Sequence, residues 1–388
     1  MTIQTNDLKK HRNKKKRKQL LKRFLIVSII AVIGIAGFAT RTKWLPLFDG
    51  IFDKYKTTIV NDGTLAEGNF PLKISEGSQY IMSSLENKLA LVTDTHFYIY
   101  SKTGALAMTE QHAMTNPILK TSGGRALIYD LGGNSFEVIG KLKVLYSKNI
   151  SDKIIYGEMS NNDFVAIVTK SDKFASGMTV YDPNGNEVFT SFLNEKILDI
   201  AFKPDNSGCV ATTISASGGQ LVSKMISFNF KSEKEDWKSE AIPSLALFTA
   251  CTSSGETALV GDTQYSLISR DGKISFTYNY TSKLSGYSST GDLTAVVVSN
   301  NELRKTTLNI ISGKGNPVLI PVNYNFEKVS VKNNKIYIMT AKELITYSPS
   351  GNVIATVVLK KDYSDFTVID DNIYLLGVSV IDCITYKT

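Results

Sequence analysis

DFVAIVTKSDKFASGMTVYDPNGNEVFTSF, residues 163–192, carries the pattern that decides the fold. A β-branched apolar run (163–169) gives way to a polar loop (170–177), a further β-rich run and the turn DPNG (182–185). Val, Ile, Thr, Tyr and Phe suit pleated, half-buried strands. The Asp and Gly of DPNG suit a tight hairpin turn.

The same unit recurs on both sides. LALVT (89–93), FYIY (97–100) and RALIYD (125–130) precede it, and LTAVVVS (293–299) and KIYIMT (335–340) come after it. A polar turn introduces one strongly apolar strand in each unit, near Asn87, Gly124, Asn162, Ser207, Gly255, Gly291, Asn334 and Asn372, on average about 41 residues apart. A second series of turns, ending the third strand, falls near Gly104, Gly140, Gly185, Ser232, Gly272, Gly315 and Gly351. RDGK (270–273) and SPSG (348–351) share the turn chemistry of DPNG. A period of about 40–45 residues with four short strands per unit is the signature of a β-propeller blade. The spacing therefore predicts an all-β chain: a β-propeller of eight four-stranded blades over 69–388, with the faint signals over 205–240 also admitting seven. The eighth unit (364–388) is one strand short, and FPLKIS (70–75) is expected to pair with that C-terminal blade and close the ring, removing open edges.

The N-terminus has another character. Of the 44 Lys/Arg and 36 Asp/Glu behind the net charge of +8, ten basic residues and one acid lie in residues 1–23. The remaining chain is nearly neutral, which argues against nucleic acid as a partner. FLIVSIIAVIGIAGFAT (24–40) is uncharged and apolar, at the short end of a bilayer span. The dense basic block before it predicts a cytoplasmic N-terminus, a single transmembrane helix over 24–40 and an extracytoplasmic bulk. Gly37 and Ala39 also admit a cleaved signal peptide. Membrane is thus an expected partner through 24–40, with anionic lipid a candidate for the basic tail. Residues 41–68 read as an extracytoplasmic spacer, with Trp44 at the interface.

AFKPDNSGCVATTI (201–214) resembles the first hairpin of the tryptophan-aspartate, TolB and quinoprotein-like propeller families, although the tryptophan-aspartate dipeptide itself is absent. The anchor, the periodicity and YDLGGNSFEVI (129–139) together resemble an uncharacterised bacterial family of single-pass membrane propellers, labelled only as a domain of unknown function. That resemblance implies the fold and the address, and no activity.

Chemistry-bearing motifs are scarce. Outside the tail the histidines are His96 and His112, without a nucleophile elbow, so catalytic triads gain no support. His96 reads as a strand-edge residue and His112 as a loop residue; a two-histidine metal site is the sharper alternative. Cys209, Cys251 and Cys383 are too scattered for a zinc site and read as buried hydrophobes, or else as a disulfide pair. DPNGN (182–186) begins like a calcium loop, but positions 6 and 12 are Glu187 and Leu193, so a hairpin explains it. Ser269-Arg-Asp271-Gly-Lys resembles the sialidase aspartate box with Gly one place early and no following Trp. Quinone-dependent dehydrogenases use recurring Trp, and this chain has Trp44 and Trp237. Gly132-Gly133 and Gly218-Gly219 lack a phosphate-loop Lys. No cofactor is expected.

What remains is surface. Loops leaving the fourth strand, and those joining the second to the third, share one rim of a propeller. Here they place aromatic beside charged residues: Lys173 and Phe174, Glu302 and Arg304, Tyr324 and Phe326, Asp362 and Tyr363. Aromatics and Arg anchor interfaces, so these eight form the candidate binding rim. The expected function is a non-catalytic binding or scaffolding module of the cell envelope, recognising a protein or polymer. An envelope carbohydrate-active enzyme using channel-mouth carboxylates is the alternative, and a single-pass sensor a third reading.

Overall fold

The computed structural model describes residues 59–75, 79–232, 234–322 and 326–385. The tail (1–23), the candidate anchor (24–40), most of the spacer and Tyr324 lie outside the described residues. Among the described residues no helix is long and apolar enough to cross a membrane.

The described chain forms eight sheets in sequence order, as the repeat spacing predicts. Blades 1 to 7 span residues 81–111, 117–149, 154–193, 196–238, 246–279, 283–322 and 326–358; blade 8 spans 365–385 and borrows its outermost strand. Within each blade the strands that follow one another in sequence pair antiparallel, in chain order from the channel outward. Eight, not seven, is the count. The signal over 205–240 is faint because blade 4 is irregular: Gly208–Ser217 and Gln220–Asn229 make an unusually long hairpin, and the outer strand Glu235–Lys238 is short.

Position in the blade explains the composition of each strand. Second strands such as Ala126–Asp130 and Thr257–Gly261 are buried along their whole length, because neighbouring blades cover both faces. Continuous apolar runs fit that environment. Outermost strands such as Val144–Asn149 and Ile274–Asn279 alternate half-buried with exposed residues, because one face meets solvent. The core therefore lies between blades. Leu127, Phe136 and Val138 of blade 2, for example, pack on Ile154, Val165 and Ile167 of blade 3. Burying each such side chain is worth about 1.5–3 kcal/mol.

The ring closes through the N-terminal segment. Leu72–Lys73 pairs antiparallel with Val380–Thr385, Leu72 opposite Ile381 and Lys73 opposite Val380. The Ala66 N–H donates to the Cys383 carbonyl at 2.7 Å, and the Phe70 ring meets Tyr374 edge-on at 5.7 Å. Ile59–Asn61, inside the stretch read as a spacer, pairs in parallel with Val353–Val358 and makes blade 7 five-stranded.

Candidate functional site

Each first strand lines the channel and runs from an upper face to a lower one. The upper face carries the loops between blades and those joining second to third strands. The lower face carries both series of hairpin turns. In blades 3 to 7 the innermost strand bulges near its start, at Ile155, Leu198, Leu247, Ser285 and Glu327. A bulge adds a residue, increases twist and re-aims the next side chains along the strand. Immediately after the bulges stand Tyr156, Asp199, Phe248, Gly286 and Lys328.

Tyr156 and Asp199 join a polar chain that ties the inner strands together. Lys120 of blade 2 pairs with Glu158 of blade 3 at 2.7 Å. The Tyr156 hydroxyl reaches Glu158 Oε2 at 2.5 Å and Asp199 Oδ1 of blade 4. Asp199 also accepts the Ile200 N–H at 2.9 Å and, from blade 5, the Thr249 N–H at 2.6 Å. Other seams are tied in the same manner: Ser83 to Thr121, the Tyr287 hydroxyl to the Leu247 carbonyl, the Val331 N–H to Ser288 Oγ, and Lys328 to Asp365.

The Tyr156 phenol has one proton for two carboxyl oxygens. Holding both contacts as hydrogen bonds requires a proton on one carboxyl. Asp199 is the fitting host: burial, aided by the charge of Glu158, pushes its pKa up to about 6 against the hydrogen bonds that favour its ionised form. Burial likewise holds the Tyr156 phenol well above its usual value. Burial opposes the charge on Lys120, yet Glu158 outweighs it and its pKa is raised.

Carboxylates thus converge in the channel, as catalysis would need, but they are committed. Glycosidase carboxyls flank a scissile bond. Here a phenol oxygen occupies the space between them, and Asp199 is only 6% exposed.

Two cavities open beside this network. One, of about 560 Å³, is the lower channel mouth, lined by Lys120, Glu158 and the hairpins of blades 3 to 6. The other, of about 630 Å³, lies at the lower seam of blades 4 and 5, lined by Trp237, Asp236 and Arg270. Lys203, Pro204, Cys251 and Ser253 line both, so the two are adjacent.

The sequence-derived rim residues among those described sit on the upper face, and none lines these cavities. Lys173 and Phe174 are exposed in blade 3, and Phe174 stacks on Phe192 with ring centroids 5.3 Å apart. Glu302 and Arg304 are exposed in blade 6, and Asp362 is exposed between blades 7 and 8. Two rim residues turn inward. Phe326 is half-buried in the core of blades 6 and 7, its ring over Gly286, where a Cβ would come within 2.5 Å of it. Tyr363 is 7% exposed, and its hydroxyl donates at 2.6 Å to the fully buried Asp382, which also pairs with Lys361. Phe326 and Tyr363 therefore support the rim from beneath. Blade 3 lies across the ring from blade 7, so Lys173 and Phe174 do not meet the other five.

The remaining candidates resolve simply. His112 Nδ1 accepts the Met114 N–H at 3.3 Å, so Nε2 carries the proton it donates to the Thr93 carbonyl at 3.1 Å. Burial lowers its pKa and keeps it neutral. His96 stacks on Tyr98 at 5.7 Å. Among the described residues no group of three His, Cys, Asp or Glu is placed to hold a metal. The three cysteines are free thiols, and burial pushes Cys251 up to about 11 and Cys383 up to about 12, unfavourable for a nucleophile. Asp182 accepts the N–H groups of Asn184 and Asn186 within its own turn.

Sequence reasoning missed Lys120, Tyr156, Glu158, Asp199 and Trp237. The channel residues among them share one signal, a place after a bulge or on a facing inner strand, and it has no fixed residue type.

The chain belongs to a family of unknown function (DUF5711), whose pattern matches residues 67–385. No curated protein matches the sequence. Among solved structures, Sqt1 of Chaetomium thermophilum, bound to the N-terminus of the ribosomal protein L10, is similar with a TM-score of 0.59 at 11% identity, over 85% of this chain and all of that one. The quinohemoprotein alcohol dehydrogenase of Comamonas testosteroni scores 0.56 at 9% identity, over 84% of this chain and 78% of its own. BamB of Moraxella catarrhalis scores 0.54 at 12% identity, over 81% of this chain and all of that one. At these identities the likeness establishes the propeller fold.

Proposed function

We propose that this member of a propeller family is a membrane-anchored, extracytoplasmic, non-catalytic binding or scaffolding module of the cell envelope. The observation that carries the non-catalytic reading is the committed channel. Glu158 and Asp199 spend their oxygens on Lys120, Tyr156 and backbone N–H groups of blades 4 and 5. Exposed aromatic and charged side chains remain on the upper face, where Phe174 and Phe192 offer a stacked pair, 40% and 53% exposed, flanked by Lys173. Such pairs anchor protein partners. The address rests on the sequence: the basic tail, the apolar run 24–40 and their order. Sqt1 bound to the L10 N-terminus is an instance of this fold engaging a protein segment, and it lends no ligand to this chain.

The test is site-specific photo-crosslinking in the native membrane, with the reactive residue at position 174 and a control at Leu142 on the lower face. A discrete adduct from position 174 alone, protected from cytoplasmic reagents, is expected. Equal labelling at both positions, or turnover of envelope glycans by the purified chain, would remove this reading.

A further inference from the structure

We propose that the upper corner of blade 3 docks an acidic protein segment that carries an apolar side chain. This rests on the binding-module reading of the upper face and names the chemistry of its partner. Charge comes first. Lys153 leads into the innermost strand of blade 3, Lys170 and Lys173 stand in the loop after its second strand, and Lys196 opens blade 4. Two contacts hold this corner together. The Lys170 N–H donates to the Lys153 carbonyl at 2.9 Å, and the Ile197 N–H, next to Lys196, donates to Ser176 Oγ of blade 3 at 3.0 Å. Neighbouring strands lie about 4.8 Å apart, so the corner spans about 15 Å. All four lysines are exposed, and among the described residues none has an ion-pair partner. The anions there are fewer. Asp152 and Asp172 are exposed, while Glu195 is held by Lys224 at 3.3 Å and by the Thr213 hydroxyl at 2.5 Å. Four solvated cations thus stand against two solvated anions, in a chain that is nearly neutral beyond its tail.

The Phe174–Phe192 pair sets the apolar half of the ligand. Phe192 lies opposite Gly177 in the sheet, where a Cβ would come within 3.2 Å of its ring. Gly177 in turn lies opposite Thr169, the residue before Lys170. Phe174 stacks on Phe192 with 29° between the ring planes. The pair therefore lies against the flank of the blade, one residue below the strand end that carries Lys170. A bilayer would take apolar tips standing clear of the lysines, and a polyanion without apolar side chains would leave both rings in water. A protein segment with carboxylates and one aliphatic or aromatic side chain satisfies both halves. Its charges steer and orient it, and its apolar group covers the rings.

Photo-crosslinking from position 174 in the native membrane is repeated between about 0.1 and 1 M salt, over which the screening length falls from about 10 to about 3 Å. The yield of the discrete adduct should fall about fivefold or more across that range. At the lower salt, Lys173→Glu with Lys196→Glu should lower it to a similar extent, and Lys173→Arg with Lys196→Arg should keep it. Lys143→Glu, at an exposed position of the lower face, should leave it unchanged. The purified full chain should also form an adduct from position 174 with a copolymer of glutamate and tyrosine, and none with a copolymer of lysine and tyrosine. Reading the adduct at position 174 leaves out copolymer held only by the basic tail. A protein adduct indifferent to salt and to the paired reversal, or a preference for the lysine copolymer, would overturn the acidic partner and leave the rim as a binding face. Phospholipid as the sole adduct would overturn it in favour of the membrane. No adduct at either salt would remove the rim reading and this inference together.

Discussion

The channel wall of blades 2 to 5 and the upper rim carry the same kinds of residue, aromatic beside charged, and use them in opposite ways. In the wall, Tyr156, Glu158, Lys120 and Asp199 satisfy one another and the neighbouring blade's backbone. At the rim, Lys173, Glu302 and Asp362 extend into water. A buried charge without a partner costs several kcal/mol, whereas a solvated one costs little. The wall must therefore pair its groups, and the rim is free to keep its own for a partner. Ionisable residues in a propeller channel are thus not by themselves signs of catalysis.

The sharpest way to break that contrast is to remove the bridging hydroxyl. Tyr156→Phe leaves Glu158 and Asp199 facing each other without the group they share, and should destabilise the full chain by about 3 kcal/mol. Urea unfolding measures this; a loss below about 0.5 kcal/mol would mean the network is not a structural tie.

Next in size is the proton on Asp199. Its folded pKa, about 6, lies above the unfolded value of 3.8. A raised carboxyl pKa contributes stability that is complete below pH 3.8 and is lost as pH rises through 6. Asn removes the titrating group: its oxygen can keep the Thr249 N–H that Oδ2 accepts, while an amide nitrogen in the place of Oδ1 would donate to Tyr156 and leave the Ile200 N–H without its acceptor. Asp199→Asn should flatten the pH dependence of stability between about 4 and 6. An unchanged pH profile would show that the proton resides elsewhere.

Phe174→Ala should cost less than about 1 kcal/mol, since its ring is stacked but only partly buried, 40% exposed, while abolishing crosslinking from a probe at the neighbouring Lys173. Equal loss of stability and capture would instead make the Phe174–Phe192 pair a folding element.

The same contrast governs what the sequence disclosed. Turn residues and continuous apolar second strands announce themselves locally, so Gly185, Gly272 and the run LTAVVVS (293–299) marked the blades and their order. The wall is a property of neighbours: Glu158 meets Lys120 across 38 residues, and Asp199 meets Thr249 across 50. Neither pair has a local signature. Rim loops were found by position, but burial was not readable from position, because Tyr363 differs from exposed Asp362 only in the buried Asp382 it meets. Trp237 was visible as a rare residue, while the cavity beside it draws its lining from two blades, Asp236 of one and Arg270 of the next.

The smallest effect tests the rim's backbone. Arg304 adopts φ of 49°, in the left-handed region where a Cβ is strained by about 1 kcal/mol. Glycine relieves that strain but adds freedom to the unfolded chain, returning about 0.5 kcal/mol. Arg304→Gly should therefore stabilise the chain by about 0.5 kcal/mol. If Arg304 also anchors a partner, the same variant should lower crosslinking from a neighbouring probe at Glu302. A gain in stability joined to a loss of capture would show backbone strain kept for binding, the rim's counterpart of the committed charges in the wall. A gain with capture unchanged would remove Arg304 from the binding face and leave Phe174 to carry it.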